Sequence, residues 1–502
     1  MTRRWNGVKK KGTFDCSSSR DGGNPDRELQ IYAFDIQNAT VKIYREIVMS
    51  LHATALTPTL SLTAGEGASR PLRFITCGSV DDGKSTLIGR LLFDSKALMV
   101  DQLDALAAST KKLARSAQSQ SGKLDLSLVT DGLEAEREQG ITIDVAYRYF
   151  ATPKRKFIIA DAPGHEQYTR NMVTGTSKSD VAVLLIDVMK LDFAQPTLTL
   201  LPQTKRHAAL TGLLGLQHTV VAVNKMDAID FDAAKFERVV TAFGELAASL
   251  GINAFTAIPM SALDGDGVVA HTERTSWFQG PALLPHLESL QLSEARFGTT
   301  AHIAVQWVTR DQSDDHLRWI TGDLAESTLS VGDAISVFPS GATAVVAALR
   351  NGRGLVDSAK PGEAVAVRFD RQVDVARGDW IIAGNTAPQT LTQKTQAIIA
   401  WLDNAPLTVG RRYVVRHGAR WLPARISAIS ARLDLANGQW RGTDAGVDDG
   451  LPAEVKANDL VRVEIEFAQA LPLAAFAKSA ALGAFVMVDP GTNATAAAGM
   501  IQ

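Results

Sequence analysis

One stretch decides the fold of this chain: Gly78-Ser79-Val80-Asp81-Asp82-Gly83-Lys84-Ser85-Thr86. It fits the pattern G-x4-G-K-[ST], follows an apolar run at residues 73–77 and precedes a helical apolar pattern. Its glycines let backbone N–H groups and a helix N-terminus point at a phosphate. Lys84 is predicted to reach the β- and γ-phosphates, and the Ser85 hydroxyl is predicted to ligate Mg²⁺. The stretch therefore predicts a nucleotide-binding domain.

The pattern of apolar runs before and after this stretch predicts the architecture of the chain. Short apolar runs at residues 157–160, 181–186 and 219–223 alternate with helical patterns, which indicates a parallel sheet covered on both faces. After about residue 298, short strand-like stretches follow at close spacing, a pattern typical of antiparallel barrels. Residues 1–70 show no convincing periodicity. We expect them to be an unstructured extension or an upstream misread start.

The amino-acid composition excludes a disordered, collagenous or mucin-like chain. The 502 residues are 45% hydrophobic and 21% charged, as in globular domains. With 52 basic against 54 acidic residues, the chain does not bind nucleic acid by bulk charge. Cys16 and Cys77 cannot form a disulfide framework. No apolar run has the roughly 18 residues of a membrane span, and no secretory signal is evident, so a cytoplasmic protein is predicted.

A second motif, Asp161-Ala162-Pro163-Gly164-His165, directly follows the apolar run at residues 157–160. An acid at the carboxyl end of a strand beside the phosphate loop holds Mg²⁺, usually through water. A glycine shortly after it lets a backbone N–H approach the γ-phosphate. Alone, an Asp before Pro-Gly is more often a plain turn.

A third motif, Asn224-Lys225-Met226-Asp227, closes the apolar run at residues 219–223. A carboxylate here accepts hydrogen bonds from guanine N1–H and its 2-amino group, whereas adenine leaves it unpaired. The motif therefore selects GTP over ATP. A weak fourth motif, Ser261-Ala262-Leu263, is predicted to support the base through backbone groups.

Between the first two motifs lies Glu136-Arg137-Glu138-Gln139-Gly140-Ile141-Thr142-Ile143. The Thr142 hydroxyl is a candidate Mg²⁺ ligand in a loop ordered by the γ-phosphate. The alternative is a charged surface loop leading into a strand at residues 141–150. Spacing alone does not decide between them.

Together these motifs resemble the translational GTPase superfamily. The run at residues 136–142, the box at 161–165 and two following barrels resemble the elongation factor that carries aminoacyl-tRNA. The phosphate loop, residues 131–142 and 280–288, and the C-terminal run at 492–501 are more similar to another family. That family is the large, GTP-hydrolysing subunits of heterodimeric bacterial sulfate adenylyltransferases. Asp82 favours it, since translation factors usually place His there.

The resemblance covers about residues 72–502 and implies an α/β P-loop GTPase domain, with a mostly parallel sheet and helices on both faces, followed by two β-barrel domains. The predicted domain boundaries are 71–292, 298–386 and 392–502. It implies GTP and Mg²⁺ as ligands, with Thr142 and Asp161 sensing Mg²⁺ and the γ-phosphate, and Asn224 and Asp227 binding guanine. His165 takes the place where such GTPases orient the attacking water. Residues 189–202 look like an insertion relative to this family.

The resemblance also implies a partner, the small catalytic subunit of sulfate adenylyltransferase, of the ATP pyrophosphatase type. That subunit makes adenylylsulfate and pyrophosphate from ATP and sulfate, driven by GTP hydrolysis on this chain. Neither nucleic acid nor a membrane is an expected partner. The basic, aromatic stretch at residues 411–421 fits RNA contact, but a solvated strand pair in a barrel is the favoured interpretation. An elongation-factor-like GTPase remains the alternative function, and Asp227 disfavours an ATP-using kinase.

Overall fold

The computed structural model describes residues 71–98, 126–129, 144–165, 169–252, 254–291, 300–310, 318–384, 391–434, 438–442 and 454–502. The predictions for residues 1–70 and for the Thr142 loop at residues 136–143 lie outside the described residues.

The first part of the described chain is a mostly parallel sheet. Its order is β2-β3-β1-β4-β5-β6, with β2 antiparallel to β3 and the other neighbours parallel. Every residue of β4 is buried, because the sheet is covered on both faces. The strands are β1 (Leu72–Cys77), β2 (Ala146–Ala151), β3 (Lys156–Asp161), β4 (Val181–Asp187), β5 (His218–Asn224) and β6 (Phe255–Pro259).

Helices lie on both faces of this sheet and close two apolar clusters. Phe74 and Ile75 are neighbours on β1 and enter different clusters, since successive strand side chains point to opposite faces. The helices are α1 (Lys84–Asp94), α2 (Thr169–Ser177), α3 (Pro202–Leu213), α4 (Ala233–Leu250) and α5 (Leu283–Ser289), with 3-10 turns at Leu126–Val129, Val188–Lys190, Met226–Ile229 and Glu273–Thr275. The predicted α/β domain is confirmed.

The first antiparallel barrel follows. Its strands run in the order β10-β15-β7-β8-β14-β11, and a further β10–β11 pairing closes the circle. The strands in this part of the chain are β7 (His302–Arg310), β8 (Arg318–Ala325), β9 (Leu329–Ser330), β10 (Ala334–Phe338), β11 (Ala342–Asn351), β12 (Gly354–Val356), β13 (Ser358–Ala359), β14 (Ala364–Phe369) and β15 (Trp380–Ala383).

The second barrel has the order β17-β21-β22-β16-β20-β18 and is closed by β17–β18 pairing. Its elements are β16 (Leu391–Trp401), β17 (Arg412–His417), β18 (Arg420–Asp434), β19 (Gln439–Gly442), β20 (Leu460–Pro472), α6 (Ala480–Gly483), β21 (Ala484–Val488) and β22 (Thr495–Ile501). The basic stretch at residues 411–421 is the β17–β18 hairpin. Arg411 pairs with Asp489 at 2.5 Å and Arg420 with Asp379 at 2.6 Å. The strand-pair interpretation of this stretch is confirmed.

The second barrel contacts both other parts of the chain. Ala400, Leu402 and Leu433 of the barrel belong to the apolar cluster that contains Phe243 and Leu246 of α4. This packing joins the barrel to the α/β domain directly. Among the described helices, none is both long and apolar enough to cross a membrane.

The two barrels meet at a buried histidine. Trp380 of the first barrel donates its indole N–H to His417 Nδ1 (3.3 Å), and His417 Nε2 lies 3.0 Å from the Leu482 carbonyl. The imidazole therefore accepts at Nδ1 and donates at Nε2, which is its neutral form. Burial lowers the pKa of His417 to about 4.

We expect this histidine to make folding sensitive to acid. In the unfolded chain its pKa is about 6.5, so the unfolded state binds the proton first and stability falls as pH drops from about 6.5 toward 4. The pKa difference corresponds to at most about 3 kcal/mol. Urea unfolding between pH 7 and 5 should show a shallower loss of stability for His417→Gln than for the unmodified protein. Equal slopes would contradict this assignment. Some slope should remain, because burial also lowers the pKa of His207, to about 3.

Candidate functional site

The predicted motifs meet at one edge of the sheet. Parallel register places Thr76 of β1 beside Asp161 at the end of β3, and Asp187 at the end of β4 beside Asn224 at the end of β5. The carboxyl ends of the strands in an open α/β sheet are where such folds bind ligands. The structure thus brings together the motifs at residues 78–86, 161–165 and 224–227.

The phosphate loop between β1 and α1 is held by its own polar groups. The backbone N–H of Ser79 donates to the Asp82 carboxylate at 2.5 Å. Gly83 ends the loop with φ 93°, a left-handed conformation that favours glycine, and a Cβ there would lie against the Asn224 side chain. Asp82 and Lys84 are buried, Asp81 is exposed, and Ser79, Val80, Ser85 and Thr86 are half-buried.

Lys84 lies folded over this loop. Its ammonium donates to the carbonyls of Ser79 (2.6 Å) and Gly78 (3.0 Å). Burial lowers the pKa of Lys84, whereas the carboxylates of Asp82 and Asp161 raise it. A buried cation whose hydrogen bonds go to neutral carbonyls is well placed to bind an anion.

The segment at residues 161–165 lies against Lys84. Asp161 is buried and accepts a long hydrogen bond from the Thr76 hydroxyl at 3.4 Å. A Cβ on Gly164 would meet the Lys84 ammonium and lie 2.9 Å from the Gly78 carbonyl. Only glycine allows this close approach of the two loops. Ala162 and Pro163 are buried, whereas His165 is exposed.

Asn224 joins two loops. Its amide nitrogen donates to the Asp82 carbonyl (2.7 Å), and its amide oxygen accepts from the Ala262 N–H (2.9 Å). This buried side chain therefore fixes the phosphate loop to the loop at residues 261–263. Removing it would leave a buried N–H and a buried carbonyl unpaired.

Asp227 lies half-buried in the 3-10 turn after Lys225, and Met226 beneath it is fully buried. Arg274 lies nearby, and its pKa is raised chiefly by a hydrogen bond to Asp264, with smaller contributions from Asp266 and Asp227. The predicted guanine-binding carboxylate thus lies close to the Arg274 guanidinium.

Arg90 of α1 holds the loop at residues 261–263 by hydrogen bonds to its backbone. The guanidinium donates to the carbonyls of Leu263 (2.5 Å) and Ala262 (3.4 Å). Ser261 and Ala262 are buried, and Leu263 is half exposed. The loop backbone therefore has a fixed position relative to Asn224.

The donors for a magnesium ion fit the chemistry of that ion. The Ser85 hydroxyl in the first turn of α1 and the Asp161 carboxylate are hard oxygen donors, which Mg²⁺ prefers. The described residues contain no cluster of three acidic, His or Cys side chains that could hold a metal alone. In nucleotide sites Mg²⁺ takes one or two protein ligands plus phosphate oxygens and water. The third predicted donor, Thr142, lies outside the described residues.

Sequence reasoning missed several residues that support the site. Gln203 of α3 donates to the Gly164 carbonyl at 3.3 Å, and Lys190 pairs with Asp82 at 2.7 Å. Arg90 and Arg274 belong with them. Gln203, Lys190 and Arg90 each contact a loop that is distant in sequence, so no local signal identifies them. Arg274 bonds Asp264, ten residues before it, but no recognisable motif marks that pair.

Comparison with known proteins defines the class first. Residues 69–308 match the elongation factor Tu GTP binding domain family, and residues 394–502 match the GTP-eEF1A C-terminal domain-like family. With the phosphate loop and guanine motif at one sheet edge and two closed barrels following, the chain is a GTP-binding protein of the translational GTPase superfamily.

Full-length relatives define the family more narrowly. Sulfate adenylyltransferase subunit 1 of Teredinibacter turnerae is 41% identical over 429 residues, 86% of each chain. The protein of the same name from Aeromonas hydrophila is 42% identical over 430 residues, again 86% of each. The bifunctional enzyme CysN/CysC of Mycobacterium tuberculosis is 45% identical over 433 residues, 86% of this chain and 67% of that protein. The chain belongs to the family of sulfate adenylyltransferase subunit 1.

Proposed function

We propose that this chain is the GTP-hydrolysing subunit of a cytoplasmic sulfate adenylyltransferase in sulfate assimilation. In this proposal a separate small subunit, of the ATP pyrophosphatase type, carries out adenylyl transfer. There a sulfate oxygen attacks the α-phosphorus of ATP, pyrophosphate leaves, and adenylylsulfate forms. GTP hydrolysis on this chain drives that unfavourable reaction.

The observation that carries the proposal is a single guanine-type nucleotide site in a chain of this family. The sequence contains one G-x4-G-K-[ST] loop, and its one partner motif, at residues 224–227, selects guanine. Two closed barrels make up the rest of the described chain. The proposal accordingly places the ATP site for adenylyl transfer on the partner subunit.

The described residues have distinct tasks in this proposal. Lys84 and the backbone N–H groups of the phosphate loop bind the β- and γ-phosphates, and Asp227 binds the base. Ser85, Asp161 and Thr142 would hold Mg²⁺, which would neutralise charge that develops on the phosphates. Gly164 gives the backbone its close approach to the phosphate loop, so a change at the γ-phosphate moves residues 161–165.

Packing between the second barrel and the α/β domain supplies a route by which GTP hydrolysis is coupled to the partner subunit. The second barrel shares an apolar cluster with α4, and a Cβ on Gly438 of that barrel would lie 2.5 Å from the Ser249 hydroxyl of α4. Close-packed elements transmit a displacement as a rigid shift rather than absorb it. In the proposal, a shift of α4 within the GTP-binding domain is passed to the second barrel, and the barrels dock the partner.

His165 is the residue proposed to orient the attacking water. Its side chain is exposed, and the melting temperature of the variant checks that the fold persists. We expect His165→Ala to slow GTP hydrolysis by about a hundredfold and leave GTP affinity nearly unchanged. Single-turnover hydrolysis and equilibrium binding, with partner and substrates present, measure the two effects. The exposed His271→Ala is the control, and unchanged hydrolysis in His165→Ala would exclude this role.

Co-purification tests the proposed partner. A tagged form of this chain should retain the small subunit when the neighbouring gene is co-expressed, and its GTPase activity should rise when that subunit, ATP and sulfate are all present. Stimulation by ribosomes instead would support the alternative, an elongation-factor-like translational GTPase.

A further inference from the structure

A lysine outside every motif contacts the phosphate loop. Lys190 ends the 3-10 turn that follows β4, and its ammonium donates to the Val80 carbonyl and to the Asp82 carboxylate, the latter at 2.7 Å. The Asp82 side chain is 1% exposed and that of Lys190 is 30% exposed. The carboxylate of this ion pair is therefore shielded from solvent, whereas the ammonium is partly exposed.

Three polar contacts of Asp82 fix the shape of the phosphate loop. One carboxylate oxygen accepts the Ser79 N–H, the other pairs with Lys190, and its backbone carbonyl accepts from Asn224. A buried carboxylate is costly unless it is paired. Here an unpaired one would also repel the anion that the loop is built to bind.

The lysine is held in turn by Asp187. One oxygen of this buried carboxylate accepts the Met189 N–H, which starts the turn that carries Lys190. The other oxygen lies 2.7 Å from the Lys225 ammonium and 3.9 Å from that of Lys190. Asp82, Lys190, Asp187 and Lys225 thus form a row of alternating charges that joins the phosphate loop to the guanine motif.

We propose that Lys190 is a positioning residue for nucleotide binding, which neutralises Asp82 and holds the phosphate loop in its anion-binding form. The inference rests on the proposed GTP function, because it assigns a task to a residue beside that site. Lys190 is also close enough to Lys84 to lower its pKa. Loss of Lys190 therefore changes the electrostatics at the point where the phosphates bind.

A purely structural lysine would affect stability but not nucleotide affinity. The test therefore measures the dissociation constants of GTP and GDP, with the melting temperature as a check on folding. Lys190→Met should weaken both nucleotides by about tenfold, a value reduced from that of a fully buried pair because Lys190 is partly exposed. Lys190→Arg should restore affinity to within about threefold, since it keeps the charge. Lys190→Gln, which keeps a donor for Val80 but no charge, should behave like Lys190→Met and replaces it if that variant does not fold.

The pairing partner gives a second measurement. In an Asp82→Asn background no buried carboxylate needs compensation, so adding Lys190→Met should cost much less than it does alone. Lys154→Met is the matched control, because it breaks a 3.0 Å ion pair with Glu288 beside the amino end of β3, at the other edge of the sheet.

Unchanged affinity in Lys190→Met and Lys190→Gln, or additive effects in the double variant, would overturn the inference while leaving GTP binding by the unmodified protein intact. Failure of the unmodified protein to bind any guanine nucleotide would overturn the proposed function as well.

Discussion

Replacing Lys84 by alanine is expected to lower GTP-dependent activity by about 10²- to 10³-fold. The ammonium lies buried over the phosphate loop, and within the described part of the chain it donates hydrogen bonds only to the carbonyls of Gly78 and Ser79. Its main contribution is therefore to an anion in the loop. Removing it also removes a buried charge, which offsets the lost hydrogen bonds. The fold should therefore persist. GTP hydrolysis and GTP affinity, measured together with the melting temperature, check both expectations.

The surface variant Lys154→Ala is the control for this experiment, since it removes a lysine whose partner is Glu288. Wild-type hydrolysis in Lys84→Ala would show that the loop does not bind the nucleotide phosphates. Loss of folding in Lys84→Ala would show that the lysine serves the core instead.

Asp227→Asn is expected to change the preferred base from guanine to xanthine. The carboxylate accepts from guanine N1–H and the 2-amino group, whereas an amide offers one acceptor and one donor, which match the N1–H and the C2 carbonyl of xanthine. Two charge-assisted hydrogen bonds are affected, so the preference for GTP over xanthosine triphosphate should change by at least about a hundredfold. Competition binding of the two nucleotides measures the change.

Asp232→Asn provides a matched control a few residues away. Asp232 caps α4 by accepting from Ala234 and Lys235 N–H groups, and asparagine caps a helix equally well. It should keep the preference for GTP. If Asp227→Asn also kept that preference, or if the unmodified protein bound ATP and GTP equally, Asp227 would not be the base-selecting residue.

The fold was largely predictable because its signals are local. Fully apolar runs such as residues 181–186 form strands only in a sheet covered on both faces, and β4 is buried throughout. Short strand-like stretches at close spacing after residue 298 predicted barrels, and two closed barrels are present. The phosphate loop was predictable because glycine, lysine and serine at fixed spacing carry the chemistry of the site within one segment.

The supporting contacts were not predictable, because they join segments far apart in the chain. Lys190 is 108 residues from Asp82, and Arg90 is 173 residues from the Leu263 carbonyl that it bonds. A lysine after a strand or an arginine on a helix gives no sign of such a partner. The family resemblance implied that Asn224 binds guanine, and the structure adds contacts of its side chain that join two loops.

Pyrophosphate release from ATP and sulfate, with GTP present, tests the division of labour between subunits most directly. The purified chain alone should bind GTP, hydrolyse it slowly and release no pyrophosphate. With the small subunit added, pyrophosphate release and GTP hydrolysis should rise together, and Lys84→Ala should abolish the GTP-dependent part of both. Full adenylyl transfer by the isolated chain, or transfer by the two subunits that does not respond to GTP, would contradict the account.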